Sequence, residues 1–477
     1  MTYSLLYRYP ERENRSSAAD DICLPDTISR ICGQGADYFT SVVSAPLTDI
    51  GNIKYRREIT ADFENDPSLI EKLKKPLGRY DRMQRDWTEI RAGVSAGKPD
   101  RANAEASLAA AWESIRATAI FPGTLLSFIR EIGEALNGAN IASAGLSALR
   151  NRCAELSSEG LLTELVRIAD RFRGTSPERN GLELNVSADL SLECASAEIT
   201  DLFELSDKKS RGLRFRIKNK GPQTDGESEA DLALLTAEAM CHLDAVLSDV
   251  TNRLYAEMYG LSRELEFYEY ALKYVSFIKG KGCCVYPELA RKGGASIAGL
   301  RDIRLLAVQD NVIPCDLRLV PEKAGILIKG ENGAGKTTFL RAVCAAYLLC
   351  QAGLPIPADS AAMQPVSGIY THFSSAEEDF TPGDRAGRFE GEVRAVADIM
   401  SSVEPGGLIL MNETFQSTEF SEGTQAMHGI LSVLPEEDIK YLLVTHLTDL
   451  FEADDLNADR IEFDIKKHDY KFLEERK

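Results

Sequence analysis

Residues 325–338 read Gly325-Ile326-Leu327-Ile328-Lys329-Gly330-Glu331-Asn332-Gly333-Ala334-Gly335-Lys336-Thr337-Thr338. A short β-rich apolar run thus enters a complete Gly-x-x-x-x-Gly-Lys-Thr loop. Helix formers follow from Thr337 to Leu349, with Leu340, Val343, Tyr347 and Leu348 on roughly one face. A strand feeding a glycine loop feeding a helix is the setting that a phosphate-binding loop requires. Glycines let successive backbone N–H groups turn inward around a phosphate, and the helix N-terminus adds partial positive charge. The spacing predicts a nucleotide site formed by Gly330, Glu331, Asn332, Gly333, Ala334, Gly335, Lys336, Thr337 and Thr338. In such a site Lys336 reaches the β- and γ-phosphates, and the Thr337 hydroxyl ligates Mg²⁺. A chance glycine turn before a helix is the bland alternative, and both flanks argue against it.

Two further strands carry the chemistry that such a loop needs. Leu408-Ile409-Leu410-Met411 is an apolar run that ends in Asn412-Glu413. A buried strand ending in an acid, downstream of a phosphate loop, is the Walker B arrangement. Glu413 is placed to orient or deprotonate the attacking water, and Asn412 to stand near the metal shell. The usual occupant of that second position is aspartate. Asn412 can hydrogen-bond metal-bound water but brings no negative charge, which predicts a lower Mg²⁺ affinity. Tyr441-Leu442-Leu443-Val444 then runs into Thr445-His446. A lone histidine is usually structural, but at the carboxyl end of a strand His446 faces the nucleotide crevice and is positioned to sense the γ-phosphate. Strand candidates at Ala324–Lys329, Leu408–Met411 and Tyr441–Val444 alternate with helical segments, as in a mostly parallel α/β sheet.

The bulk numbers narrow the class. At 477 residues the chain is long enough for more than one domain. Its 44% apolar and 27% charged content are those of an ordinary soluble protein. The one long apolar stretch, Ala342 to Ile356, is broken by Gln351, Gly353 and Pro355 and is too short to span a bilayer. Arg8, Glu11 and Arg12 stand where an export signal needs an apolar core. Ten cysteines without metal-ligand spacing, including the vicinal pair Cys283-Cys284, suit reduced thiols in a cytoplasm. The net charge of −19 opposes a nucleic-acid-coating protein, so any polyanion must be met by a local basic patch. Between Tyr370 and Lys440, 14 acidic residues face 4 basic ones, which makes that lobe a poor nucleic-acid surface.

Upstream, the periodicity is helical to about residue 175. Helices are expected at Arg56–Asn65, Ser68–Trp87 with a break at Pro76, Ala102–Ala117 and Gly123–Leu136. From Asn180 the period becomes two: Leu182, Leu184 and Val186, then Leu190, Leu192 and Cys194, read as a β-hairpin turning at Ser187-Ala188-Asp189. Arg214, Arg216, Lys218 and Lys220 share one face of a second alternating run, which offers a phosphate-contacting face but reads more simply as a solvated edge strand with protective charges. Lys72, Lys74, Lys75, Arg79, Arg82 and Arg85 form another basic stretch, read as a solvated helical face. Ala230 to Lys279 contains no proline and one glycine, and predicts a single long amphipathic helix of lever dimensions.

The order GENGAGKTT, AGRFEGEV, LILMNETFQSTEFSEG, LLVTHLTDL is similar to the ATPase domain of the MutS family of DNA mismatch-repair proteins. The likeness is strong from residue 323 to 451. It is weaker upstream, where Ala45-Pro46-Leu47 and Tyr55-Arg56-Arg57-Glu58 resemble the start of the family's core domain, and the hairpin from Leu182 to Ala195 resembles one in short MutS-like proteins. The resemblance implies an α/β P-loop NTPase domain (ABC-type, MutS-like) over 283–477. Before it stands a mainly helical core/lever domain over 1–282, with a β insertion near 180–220. It implies a slow, Mg²⁺-dependent ATPase that uses ATP and Mg²⁺, with Glu413, His446 and Lys336 as catalytic residues and Thr337 and Asn412 at the metal. Ile313 stands beside the adenine, with Val312 where the family has a stacking aromatic. It also implies a cytoplasmic homodimer that closes on DNA, mismatched or otherwise structured, in repair, with no membrane partner.

Several departures qualify this. The chain is expected to start directly at the core, without the wedge-bearing domain that reads mismatches, and to lack a nuclease-like extension. Gly387, beside Arg388, stands where the family's dimer-spanning signature has a serine. Two other readings stay open. One is an ABC-type ATPase of a transporter or another machine, against which the lack of a Leu-Ser-Gly-Gly-Gln-like signature counts. The other is a degenerate nucleotide switch acting as an interaction module, which Asn412 and Gly387 favour and Lys336, Thr337 and Glu413 oppose.

Overall fold

The computed structural model describes residues 4–11, 16, 18–94, 98–158, 160–175, 180–188, 194–204, 215–217, 226–291, 294–373, 385–415, 419–464 and 469–472. The chain forms two compact units, one of Met1–Ser4 with Asp66–Arg263 and one of Leu5–Asn65 with Glu264–Lys477. This division differs from a single cut at 282/283, because the first helices pack with the phosphate-loop domain and not with the helical one.

The first unit is a set of helices, Ser68–Val94, Ala104–Thr118, Phe121–Asn137, Ala144–Ser157 and Leu161–Phe172, joined by the first part of the long helix Gly226–Gly280. Leu108, Trp112, Ile115, Leu165, Phe172, Met240 and Leu247 make its core. Pro76 does not break the helix Ser68–Val94 as its ring chemistry predicts. The lost N–H costs about 3 kcal/mol in a helix interior, and burial of Leu69, Leu73, Leu77 and Tyr80 along one face offsets it. The β insertion is present as Asn180–Ala188 paired antiparallel with Cys194–Glu204. The short strand Phe215–Ile217 adds to it in parallel. Arg216 lies on that strand, whereas Asp189, Arg214, Lys218 and Lys220 lie outside the described residues.

The second unit is built on a six-stranded sheet ordered Ile369–Phe373, Leu408–Asn412, Lys440–Val444, Gly325–Gly330, Ala458–Asp464 and Asp469–Phe472. The first five strands run parallel and the last is antiparallel. Every residue of Leu408–Asn412 is buried, as expected for a strand covered on both faces. Leu327, Ile409, Met411 and Leu443 pack with Met427, Leu431, Leu434, Leu450 and Phe451, and the helix Lys336–Gln351 lies across the strands.

Residues 45–58, which resemble the start of a core domain, are held inside this unit. Arg56 is fully buried. Its Nε donates to Leu6 O at 3.0 Å and its Nη1 to Ala352 O at 3.5 Å. Its guanidinium lies 5.0 Å from the Tyr7 ring centroid and 5.6 Å from that of Phe267. At the carboxyl end of the phosphate-loop helix, Gln351 Nε2 donates to Leu47 O at 2.8 Å and Val366 O at 2.9 Å. The next turn needs Gly353, at φ +84°, where a Cβ would lie 2.8 Å from Arg56 Cβ.

Candidate nucleotide site

Strand register gathers the site. Phe373 pairs with Asn412, Asn412 with Val444, and Val444 with Ile328. The residues that leave these strand ends therefore emerge side by side along the carboxyl edge of a parallel sheet, where such folds bind ligands. They are Gly330 onward, Glu413 with Thr414, and Thr445 with His446.

The loop has the backbone its glycines were expected to allow. Gly330, Gly333 and Gly335 have φ of 154°, 79° and 97°, and a Cβ on Gly330 would meet Phe463 O at 2.8 Å. Gly335 is the left-handed residue from which the helix Lys336–Gln351 starts. Lys336 is 5% exposed, and its Nζ donates to Gly330 O at 2.7 Å and Glu331 O at 3.1 Å. Burial pushes its pKa below the usual lysine value, and the nearby Glu413 charge opposes that shift. One turn of loop thus wraps around a cation, with the first turn of a helix behind it.

Thr337 Oγ1 donates to Asn412 Oδ1 at 3.0 Å. That contact joins the helix Lys336–Gln351 to the end of the strand Leu408–Asn412 through two neutral groups. Glu413 takes the left-handed conformation at φ 57°. Its N–H donates to Val444 O at 2.9 Å, and its Oε1 lies 3.0 Å from His446 Nε2. The Glu413 side chain is 19% exposed and that of His446 37%. A half-shielded carboxylate beside a water-accessible imidazole suits proton acceptance from a water.

Lys336, Thr337, Asn412, Glu413 and His446 thus come together. Ile313 does not join this hydrogen-bonded set. It is 57% exposed, in the segment before the strand Cys315–Leu319. Gly387 and Arg388 lie in the helix Arg385–Ser402, with side chains outside the described residues, as are Gln416, Ser417 and Thr418.

Sequence reasoning missed His372. It sits near the end of the edge strand Ile369–Phe373, 9% exposed, with Nδ1 2.8 Å from Thr414 Oγ1. Burial lowers its pKa below the ordinary histidine value, against the charges of Glu392 and Asp21. The signal was available in part: Thr371-His372 repeats the Thr445-His446 dipeptide, but register sets His372 level with Met411 and Leu443, three residues before His446.

Residues 326–476 match the family model of MutS domain V. Curated relatives include Endonuclease MutS2 of Streptococcus uberis, 24% identical over 446 residues, which cover 90% of this chain and 53% of that protein. Endonuclease MutS2 of Anaeromyxobacter sp. is 27% identical over 248 residues, 48% of this chain and 30% of the relative. The mitochondrial DNA mismatch repair protein MSH1 of Arabidopsis thaliana is 32% identical over 125 residues, 26% of this chain and 11% of the relative. In these alignments the chain spans from about a tenth to about half of the relative's length.

Proposed function

We propose that the chain, whose residues 326–476 match MutS domain V and which is similar to Endonuclease MutS2 proteins, is a MutS-like protein that binds and slowly hydrolyses ATP at the carboxyl edge of the six-stranded sheet. The observation that carries the reading is the convergence of Lys336, Thr337, Asn412, Glu413 and His446, from three strand ends, on one edge. Lys336 meets the β- and γ-phosphates, exchanging its contacts with the Gly330 and Glu331 carbonyls for phosphate oxygens. Glu413 accepts a proton from the attacking water, and His446 holds the Glu413 carboxylate and faces the γ-phosphate.

The residues at the expected metal position fit Mg²⁺. Thr337 and Asn412 offer hard, neutral oxygens 3.0 Å apart. No group of three or more His, Cys, Asp or Glu is arranged to hold a metal among the described residues. Such a site holds Mg²⁺ mainly together with the phosphates it neutralises. When bound, Mg²⁺ supplies charge neutralisation between phosphate groups. Asn412, uncharged, makes this chain's own share of that binding small. A nucleotide switch without turnover is the second reading, and it too rests on Asn412.

We take DNA as the partner and a homodimer as the working form, in a cytoplasmic setting. MSH1, one of the relatives, is a DNA mismatch repair protein by name. The nine cysteines whose side chains are described are free thiols, and among the described residues no helix is long and apolar enough to cross a membrane. In this reading ATP closes the dimer through the segment around Gly387 and Arg388, and hydrolysis reopens it. Adenine would lie beside Ile313.

Nucleotide binding by wild type and Lys336→Ala, followed by fluorescent ATP analogue titration, tests the site. Loss of affinity in the variant is expected, because it removes the one buried cation of the loop; unchanged affinity would remove the basis of the reading. Duplex, mismatched and branched DNA titrated at several salt concentrations, with and without ATP, tests the partner. Binding should weaken steeply as salt rises, and no binding to any of the three would exclude DNA. Sedimentation of Glu413→Gln with and without ATP tests the dimer, and a monomer in both cases would exclude closure.

A further inference from the structure

The segment after the Walker B strand is bent in a way that needs an external hold. Glu413 and Phe415 both take left-handed backbone conformations, at φ 57° and 65°. Residues with a Cβ adopt this region at a cost, and persist there only where the surroundings fix them. Glu413 is fixed by its N–H on Val444 O. Phe415 is fixed by burial, 3% exposed, with its ring 5.9 Å from that of Phe389. Thr414 lies between the two. Its side chain is 2% exposed, and its hydroxyl meets the Nδ1 of His372 on the neighbouring strand at 2.8 Å.

We propose that His372 is a positioning residue for the hydrolytic carboxylate, acting through Thr414 to hold Glu413 in its left-handed conformation against His446. The inference rests on Glu413 being the proton acceptor proposed above. His372 is well placed for the task. It sits one residue before the end of a strand that pairs directly with the Walker B strand, His372 opposite Met411. The groups around it define its setting: Thr414 at the imidazole, Glu392 on the helix Arg385–Ser402, and Asp21, which accepts a hydrogen bond from Thr371. Without His372 the buried Thr414 hydroxyl loses its imidazole partner. Glu413 then keeps only its N–H contact to Val444 O against relaxation toward ordinary backbone angles, and that relaxation swings its carboxylate away from His446.

The experiment compares His372→Ala, His372→Asn and His372→Gln in the full chain. The asparagine amide can occupy the place of Nδ1, one bond beyond Cγ, whereas glutamine places its amide where Nε2 stands. Steady-state ATP hydrolysis should show kcat lowered about tenfold in His372→Ala and His372→Gln, the effect of one lost hydrogen bond. KM for ATP should be near wild type, and His372→Asn should restore kcat. Thr414→Val should match His372→Ala, and the double variant should lose no more than either single one. A second measurement does not depend on turnover. Amide hydrogen exchange of the peptide spanning 408–420 should speed up in His372→Ala and Thr414→Val but not in His372→Asn, with the peptide spanning 325–340 unchanged. Equal loss in all three His372 variants, a change confined to KM, or unaltered exchange at 408–420 would overturn the proposal. Absence of ATP hydrolysis in the wild type would instead refute the catalytic reading, and the exchange data would still decide whether His372 holds the loop.

Discussion

His446 Nε2 lies 3.0 Å from Glu413 Oε1, and the pairing of Asn412 with Val444 is what brings them together. Each follows a buried strand that ends at the same level, so the contact is set by sheet register and not by loop length. In Glu413→Gln the amide keeps the shape but cannot accept a proton. ATP binding should persist while phosphate release falls by at least about a hundredfold, the usual scale of a general base. His446→Ala should lose less, because it removes a neighbour of the carboxylate and leaves the acceptor. Single-turnover phosphate release checks both, and wild-type rates in Glu413→Gln would show the Walker B assignment to be wrong.

Asn412 allows a prediction about the metal that does not depend on the rate. Thr337 Oγ1 donates to Asn412 Oδ1 at 3.0 Å, so Asn412→Asp puts a negative charge at that spot with little change of shape. The Mg²⁺ concentration that half-saturates ATP binding should fall by about tenfold, since carboxylates bind Mg²⁺ better than amides do. Titration of Mg²⁺ against a fluorescent ATP analogue measures this. An unchanged midpoint would remove Asn412 from the metal shell.

The phosphate loop, the Asn412-Glu413 strand end and His446 were legible because each is a contiguous string whose local chemistry needs its neighbours in sequence. Strand, loop and helix at 325–351 follow from the same residues that make the site. His372 was not legible in the same way. Its partner Thr414 is 42 residues away, and the strand Ile369–Phe373 is too short to announce itself. The packing of residues 5–65 with the sheet-bearing unit was equally hidden. Arg56 reaches acceptors 50 and 296 residues distant, and no periodicity reports such contacts. Pro76 misled in the other direction: its local cost was real, but helix ends are decided by the packing of Leu73, Leu77 and Tyr80 as well.

The buried Arg56 makes the turn after the phosphate-loop helix intolerant of any side chain. At Gly353, φ is +84°, and an added Cβ would stand 2.8 Å from Arg56 Cβ and 3.2 Å from Ile53 O. Gly353→Ala therefore combines backbone strain with overpacking against a rigid helix, a loss of roughly 1–3 kcal/mol. Urea unfolding followed by circular dichroism should show a lower midpoint with an unchanged slope. A variant as stable as wild type would show that the helix Ile50–Asn65 can shift away from the turn.

His372 also predicts how stability depends on pH. Burial, only partly countered by Glu392 and Asp21, keeps its folded pKa below the ordinary value of 6.5. The unfolded chain therefore binds a proton at this residue more readily than the folded one does. The sign follows from linkage: stability contributed by the neutral imidazole is complete above pH 6.5 and is lost as pH falls through the folded pKa. His372→Asn carries no titrating proton and keeps a group facing Thr414. Its stability relative to wild type should thus rise as pH falls below 6.5, by at most about 1.4 kcal/mol per pH unit for a single site. Urea unfolding of both proteins at pH 7.5, 6.5 and 5.5 measures the difference, in which the other histidines cancel. A constant offset at all three values would mean that His372 titrates alike in the folded and unfolded chain, contrary to its burial against Thr414.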